Sequence, residues 1–365
     1  MKVKLRDFVE LVKTRVDIKD ADVANYISTD NMLPNRGGVE FGNSKLPTTK
    51  TVNNFIKGDV LISNIRPYFK KIWLADRSGT RSSDVLCFRA TNEKLSKEYL
   101  YCVLQSDSFF NYVMSTSKGT KMPRGDKEAI LDYEFELVSK EEQYDKYHSI
   151  LLLERKIYLN NRINDNLFEI ANLIFENQLN NDCTKLSNIA TIQNGYAFKS
   201  KEYISQKQLL ILRTKNIESN HLFNKSDVVY INQDNFCKYK KFAFNKFDTA
   251  LVMVGANIGK TGFITSNVLP ALQNQNMWRF RSKGSKMPGL LLYEYVNYIN
   301  KKVQGYASGS ARSFYRKKVF SDFEVPIIDS NFFKYFERIQ FQINNIQLEN
   351  NILVELKQEM LNKYF

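Results

Sequence analysis

Apolar residues recur every seven positions through the last stretch of the chain, at Phe332, Ile339, Ile346, Leu353 and Met360, flanked by Phe336 and Ile343. No proline or glycine follows Pro326, so nothing interrupts a helix over 331–365. A second such stretch runs from Glu141 to Gln178, also free of both residues. There Ile150, Ile157, Asn164 and Ala171 form one seven-residue ladder, and Leu153, Asn160, Leu167 and Ile174 form another. Glu141 and Glu142 sit where the positive end of the helix dipole favours acids. At 1.5 Å per residue this helix spans about 57 Å. Two helices with heptad ladders can pack as an antiparallel coiled coil. Asn161 and Asn350 lie beside the two apolar seams. Burial there fixes register at a cost in stability, whereas exposure leaves them neutral, and the pattern admits both.

Shorter-period elements precede each long helix, and they come in two similar sets. Strands are expected at 59–63 and 84–89, then a helix from Glu98 to Met114 and a basic loop around Gly119. Further on, strands are expected at Ala250–Val254 and Met277–Arg281, a helix from Leu290 to Val303, and a loop from Gly305 to Arg312. Lys4-Leu5 matches Lys185-Leu186, Asp59 matches Asp248, Phe88 matches Phe280, Gly119 matches Gly309, and Asn161 matches Asn350. An offset of roughly 190 residues far exceeds the 20–50-residue period of a solenoid. The pattern is a duplicated α+β domain, each copy followed by a long helix. Its segments are 1–140, 141–180, 184–330 and 331–365.

Composition narrows the partner. A 43% hydrophobic chain of 365 residues supports packed domains, and a net charge of +14 points to a polyanion. No run of about 18 apolar residues suggests a membrane span, and Met1 to Asp7 lacks a signal-peptide core. Four scattered cysteines and two histidines offer no zinc spacing, so reduced thiols and a cytoplasmic location are expected.

Catalytic signatures fail one by one. Gly255-Ala256-Asn257-Ile258-Gly259-Lys260-Thr261 has three residues between its glycines where a phosphate loop needs four, and a strand-like segment follows. It reads as a hairpin, although the matched segment Asn64 to Lys71 has no glycine. The prolines are never adjacent, which excludes the Pro-Pro signature of amino-methyltransferases. Glu154-Arg155-Lys156 and Glu355-Leu356-Lys357 resemble nuclease triplets but lie on the long helices as solvated charges. No catalytic or metal site is expected.

What remains is basic loop sequence interleaved with aromatics. The first copy offers Arg66, Lys70 and Lys71 beside Tyr68, then Lys118, Lys121 and Arg124. The second offers Tyr196, Lys199 and Lys201, then Arg213, Lys215 and Asn216, then Lys240 and Lys241, and finally Arg312 and Arg316. Lysine and arginine suit phosphate contacts, whereas Arg, Asn and Gln can read base edges.

The stretch from Lys185 to Ser200, Leu212-Arg213-Thr214-Lys215-Asn216-Ile217, the Gly255–Gly262 hairpin and Asn274-Gln275-Asn276-Met277-Trp278-Arg279-Phe280 carry a resemblance. Together the chain resembles the specificity subunit of type I restriction-modification systems, along essentially its whole length. The first copy departs from the pattern, since Val12-Lys13-Thr14-Arg15 replaces the glycine turn and Asn-Gln-Asn is absent. The resemblance implies two mixed α/β target-recognition domains separated by two long antiparallel helices. Each domain would bind one half of a split double-stranded DNA target. The helices would act as a ruler and dock two methyltransferase subunits, through which restriction and translocase subunits join. S-adenosylmethionine, ATP and magnesium would sit on those partners, leaving this chain a non-catalytic subunit. Ile150, Ile157, Asn161, Leu167 and Ile174 on one helix, with Phe332, Ile339, Ile346, Asn350, Leu353 and Met360 on the other, are the expected pairing and docking positions. A type IIB-like methyltransferase-nuclease effector, or a coiled-coil adaptor without DNA, are the alternatives.

Overall fold

A computed structural model describes every residue except Asn43, Ser226, Ser285 and 307–314, and the side chains of Gly305 and Tyr306. The chain forms two compact units, Met1–Lys156 with Val354–Phe365, and Ile157–Leu353. Both long helices therefore contribute residues to each unit.

In the first unit Val9–Leu11, Val85–Ala90, Val60–Ser63 and Ile72–Leu74 form an antiparallel four-stranded sheet in that order. Strand Val60–Ser63 is buried at every position. Side-chain alternation explains why. Val60 and Ile62 face a core with Leu100, Leu104 and Phe110, whereas Leu61 faces Phe55, Trp73 and Cys87. Helices cover one face, and the other packs on a second sheet of Arg15–Asp17, Thr51–Phe55, Gly79–Arg81 and Tyr26–Ile27. The expected helix from Glu98 to Met114 is instead two, Lys97–Gln105 and Asp107–Ser115. Ser106 is extended between them, and its side chain accepts from Phe109 N–H, starting a new helix where the periodicity continues.

The second unit repeats the layering. Ala190–Asn194, Met277–Ser282, Thr249–Val252 and Thr261–Phe263 form the matching sheet, with the same order and the same antiparallel pairings. Leu251 faces the core under helix Gly289–Tyr306, whereas Ala250 and Val252 face the outer sheet. That outer sheet differs from its counterpart, having three strands, Val229–Ile231, Leu209–Leu212 and Ala271–Gln273. Each unit also pairs its opening strand with the one before its long helix, Lys2–Lys4 with Glu134–Glu136 and Cys183–Lys185 with Glu324–Pro326.

A shared ion pair staples each central sheet. Arg89 donates Nε and Nη2 to the two carboxylate oxygens of Asp59, both at 2.7 Å. Arg281 does the same to Asp248 at 2.8 and 2.7 Å. The carboxylates are 1% and 2% exposed, and each also accepts a backbone N–H three residues earlier, from Ile56 or Asn245. The repeat of Asp59 at Asp248 is thus structural.

The long helices are Lys140–Asn177 and Phe333–Tyr364. In the first unit Ile150 packs with Leu361 and Cys102, and Lys357 donates to Glu154 at 2.9 Å. In the second, Phe168, Ala171 and Phe175 join a core with Phe336, Ile339 and Ile343. Within each unit the two helices run antiparallel. The middle of the seam corrects the apolar expectation. Ile157, Leu167, Ile174, Phe332, Ile346, Leu353 and Met360 are only half-buried, while Asn160, Asn164, Asn344, Gln347 and Asn350 are buried. Asn160 Nδ2 donates to Asn350 Oδ1, and Asn350 Nδ2 donates to the half-buried Asn161, both at 2.9 Å. The seam faces the domain as well as the other helix, and amides meet the loop backbone there: Asn344 accepts from Ser266 N–H, and Gln340 from Leu290 N–H. An apolar heptad cannot make those bonds.

Candidate nucleic-acid interface

The first unit assembles its basic residues from two loops. One is the hairpin between Val60–Ser63 and Ile72–Leu74, and the other follows helix Asp107–Ser115. Backbone bridges join Ile65 to Arg124 and Lys118 to Arg124, and Arg66 N–H donates to Pro123 O at 2.8 Å. Gly125 is needed at this junction, since a Cβ there would meet Asn64, Ile130 and Val113 at about van der Waals overlap. Arg66, Lys118, Lys121 and Arg124 all face solvent on this composite surface. Lys118 pairs with Asp126 at 2.5 Å and Arg124 with Asp84 at 3.3 Å. Arg66 and Lys121 have no acidic partner among the described residues.

Lys70 and Lys71 were expected beside them and are turned inward. Lys70 pairs with Asp107 at 2.5 Å, and Lys71 donates to Thr29 O at 2.6 Å. Burial pulls the Lys71 ammonium below its ordinary pKa. Both lysines fasten the hairpin.

The second unit forms an aromatic patch. The Tyr196 ring lies 5.0 Å from Phe198, 5.0 Å from Tyr239 and 5.1 Å from Phe242. The patch brings exposed Lys199 and Lys201 together with exposed Lys240 and Lys241. Glu202 links the two segments by accepting from Tyr239 Oη at 2.7 Å and from Lys199 N–H at 3.1 Å. The Tyr239 hydroxyl holds the Glu202 carboxyl below the usual carboxylate range. Gly195, next to Tyr196, lies so close to Asn274 that a Cβ would overlap its carbonyl. Asn274 N–H in turn donates to Leu212 O, immediately before Arg213. Arg213 and Lys215 both contact Asp227. Asn216 is fully buried and accepts from Arg213 N–H at 3.0 Å, which makes it a turn cap with no path to a ligand. Arg316 is exposed before helix Lys317–Asp322, and Arg312 and the Gly309 loop lie outside the described residues.

The hairpins share positive φ at two matched positions although not their sequence. Gly255 and Gly259 have φ of +94° and +86°, and the matched residues Arg66 and Lys70 have +51° and +49°. Sequence reading missed this, because a left-handed residue is legible only where glycine marks it. It also missed the cluster in which Lys70, Arg36 and Gln358 all bond Asp107 across long sequence distances. The one local signal was the placement of Asp107 in the first turn of a helix.

Among the described residues no cluster of metal-ligating side chains occurs, and no helix is long and apolar enough to cross a membrane.

Comparison with known proteins agrees with this architecture. Residues 1–168 match the type I restriction modification DNA specificity domain. The type I restriction enzyme MjaVIII specificity subunit of Methanocaldococcus jannaschii is 22% identical over 355 residues, covering 89% of this chain and 81% of that protein. The crystal structure of a type I restriction-modification S subunit from M. genitalium shares the fold, with a TM-score of 0.55 at 13% identity over 100% of this chain and 96% of that one. Over its first half by domain match, and along its length by a distant relative and a shared fold, the chain is similar to type I restriction-modification specificity subunits.

Proposed function

We propose that this chain is the non-catalytic DNA-reading subunit of a restriction-modification complex, and that each domain reads one half of a two-part double-stranded target. The observation that carries the reading is the pattern of repetition. Two copies of one scaffold present solvent-facing cations on the loops at which the copies differ. A shared scaffold with divergent loops suits two recognition tasks of the same kind.

Partner docking falls to a different helix face from the expected one. Ile150, Asn350 and Ile339 are buried in the helix pair or against a domain. Leu159, Ile163, Ile170 and Leu173 instead form an exposed apolar stripe on the central helix, and Leu348 and Ile352 are exposed on the terminal one. An uncovered apolar stripe of this length marks a protein-binding surface. In this reading it takes the methyltransferase subunits, two for a two-copy chain, and the restriction subunits join through them. S-adenosylmethionine, ATP and magnesium then act on those partners.

Binding to mixed-sequence duplex at two salt concentrations tests the first step. Affinity should fall steeply with salt, because phosphate contacts release counterions. Methylated-site mapping in cells carrying the chain with its cognate partners tests the second, and should return two defined half-sites around an undefined spacer. Salt-independent binding, or methylation by the purified chain alone, would refute the proposal.

A further inference from the structure

The two hairpins place positive φ at the same two matched positions with opposite residue types. The second uses glycine at both left-handed positions, Gly255 and Gly259, where no Cβ is strained. The first places Arg66 and Lys70 there, and L side chains adopt this region at a cost of order 1 kcal/mol or more each. Two further non-glycine residues with positive φ, Asn35 and Arg36, face them. Asn35 N–H donates to Phe69 O at 2.7 Å and Arg36 N–H to Lys70 O at 2.9 Å. Four strained residues thus meet at one place in the first domain.

One carboxylate holds two of them, Lys70 and Arg36. Asp107 Oδ1 accepts from Lys70 Nζ and from Arg36 Nη2, both at 2.5 Å. Asp107 Oδ2 accepts from Gln358 Nε2 at 3.2 Å, on the last turns of the terminal helix. Arg36 is 7% exposed and also donates to Gln105 O and to Gln358 Oε1. The matched position in the second domain is Gly259, which carries no side-chain charge. It is fastened by Asn300 Nδ2 donating to Gly259 O at 2.8 Å, with Tyr315 Oη donating to Asn300.

We propose that Asp107 is a positioning residue that, by holding Lys70 in its left-handed conformation, presents Arg66 to DNA and so sets base discrimination in the first half-site. Residues far from the chemistry of reading keep a strained backbone only where surrounding contacts over-determine it. Here the contacts are the three donors on Asp107. The side chain at Arg66 is what the strain retains, since glycine would serve the turn alone. The inference rests on the DNA-reading function proposed above, and it assigns Lys70 to fastening the hairpin and Arg66 to contact.

The test uses the full chain with its cognate methyltransferase subunits and a library of duplexes randomised across both half-sites, read by methylation. Asp107→Asn keeps the size of the side chain and removes the charge. It should relax discrimination in the first half-site by about tenfold and leave the second unchanged, with a lowered melting temperature because buried Arg36 loses its counter-charge. Asp107→Glu should restore part of the discrimination. Lys70→Gly separates reading from stability, because it relieves strain while cutting the tether. It should keep or raise the melting temperature and still relax the first half-site. Unchanged first-half discrimination in Asp107→Asn and Lys70→Gly overturns the proposal, and so does equal loss in both halves, which would mark a global packing defect. A wild-type chain with no preference in either half would overturn the DNA-reading function itself, and this proposal with it.

Discussion

The two domains differ in how they fasten their loops and agree in how they build their cores. In both, an arginine grips a buried aspartate with two hydrogen bonds, Arg89 on Asp59 and Arg281 on Asp248. In both, the central sheet has the same order and buries alternate residues on opposite faces. Outside that frame they part. The first hairpin is held by a charged cluster on Asp107, and the second by neutral hydrogen bonds from Asn300 and Tyr315. The outer sheets have four and three strands. The repeated features are those that hold the core, and the divergent ones surround the surface proposed to face DNA. A staple must satisfy a buried charge whatever the target is, whereas a loop must match one particular target.

The staple offers the most forceful way to break this comparison. Arg89→Ala and Arg281→Ala each strand a buried carboxylate, a change that costs about 3 kcal/mol or more. Thermal or denaturant unfolding should show similar losses for the two variants. A large loss in one and none in the other would end the equivalence of the cores.

A second test concerns a charge with no acidic counterpart in the first domain. Glu294, on helix Gly289–Tyr306, is pushed up to about 8 by burial. A carboxyl raised in the folded state contributes stability that is full below its unfolded pKa near 4.5 and is lost as pH rises through about 8. The second unit should therefore weaken between pH 5 and 8, by up to about 1.4 kcal/mol per pH unit. Glu294→Gln should flatten that profile in pH-dependent unfolding, and an unchanged slope would show that Glu294 is not its source.

Next in size is the helix seam. Asn350→Ala removes both an acceptor from Asn160 and a donor to Asn161. Asn160 keeps its bond to Glu349, so the loss should be about 1 kcal/mol, to be read from the midpoint of urea unfolding. Asn350→Leu should cost less than Asn350→Ala if packing compensates, and a stabilising Asn350→Ala would remove the register role.

The smallest effects sharpen the division of labour. Arg66→Ala should weaken action on the first half-site alone, and Lys199→Ala on the second alone, each by about 1 kcal/mol in affinity. Lys121→Ala should weaken binding evenly across sequences and lower the salt slope by about one. Competition binding on duplexes altered in one half at a time separates these cases. Loss of discrimination in both halves from a single change would sink the two-reader view.

Much of the scaffold was legible in the sequence. Uninterrupted stretches without proline or glycine marked both long helices, whose observed bounds fall within about two residues of those expected. The short, mostly apolar strands at Val60–Ser63 and Thr249–Val252 were visible too, because a strand buried on both faces has little polar alternation to hide it. The break at Ser106 was not, since apolar spacing continues through a capping serine. For the candidate interface, composition singled out loops whose side chains the structure divides between solvent and interior. Arg66, Lys118, Lys121, Lys199 and Lys240 face solvent, whereas Lys70, Lys71 and Asn216 turn inward.

The sequence by itself determined the duplication, the element types and the surplus of positive charge, because these follow from local periodicity and composition. Tertiary structure decided which face of each helix is buried, since heptad spacing defines a stripe but the neighbouring loop backbone selects the amides of Asn344 and Gln340 to meet it. It also decided which lysines are free to meet a ligand. A lysine and an aspartate far apart in sequence become partners only when folding closes the distance, as with Lys70 and Asp107. The energy of that contact depends on burial, which no single residue encodes.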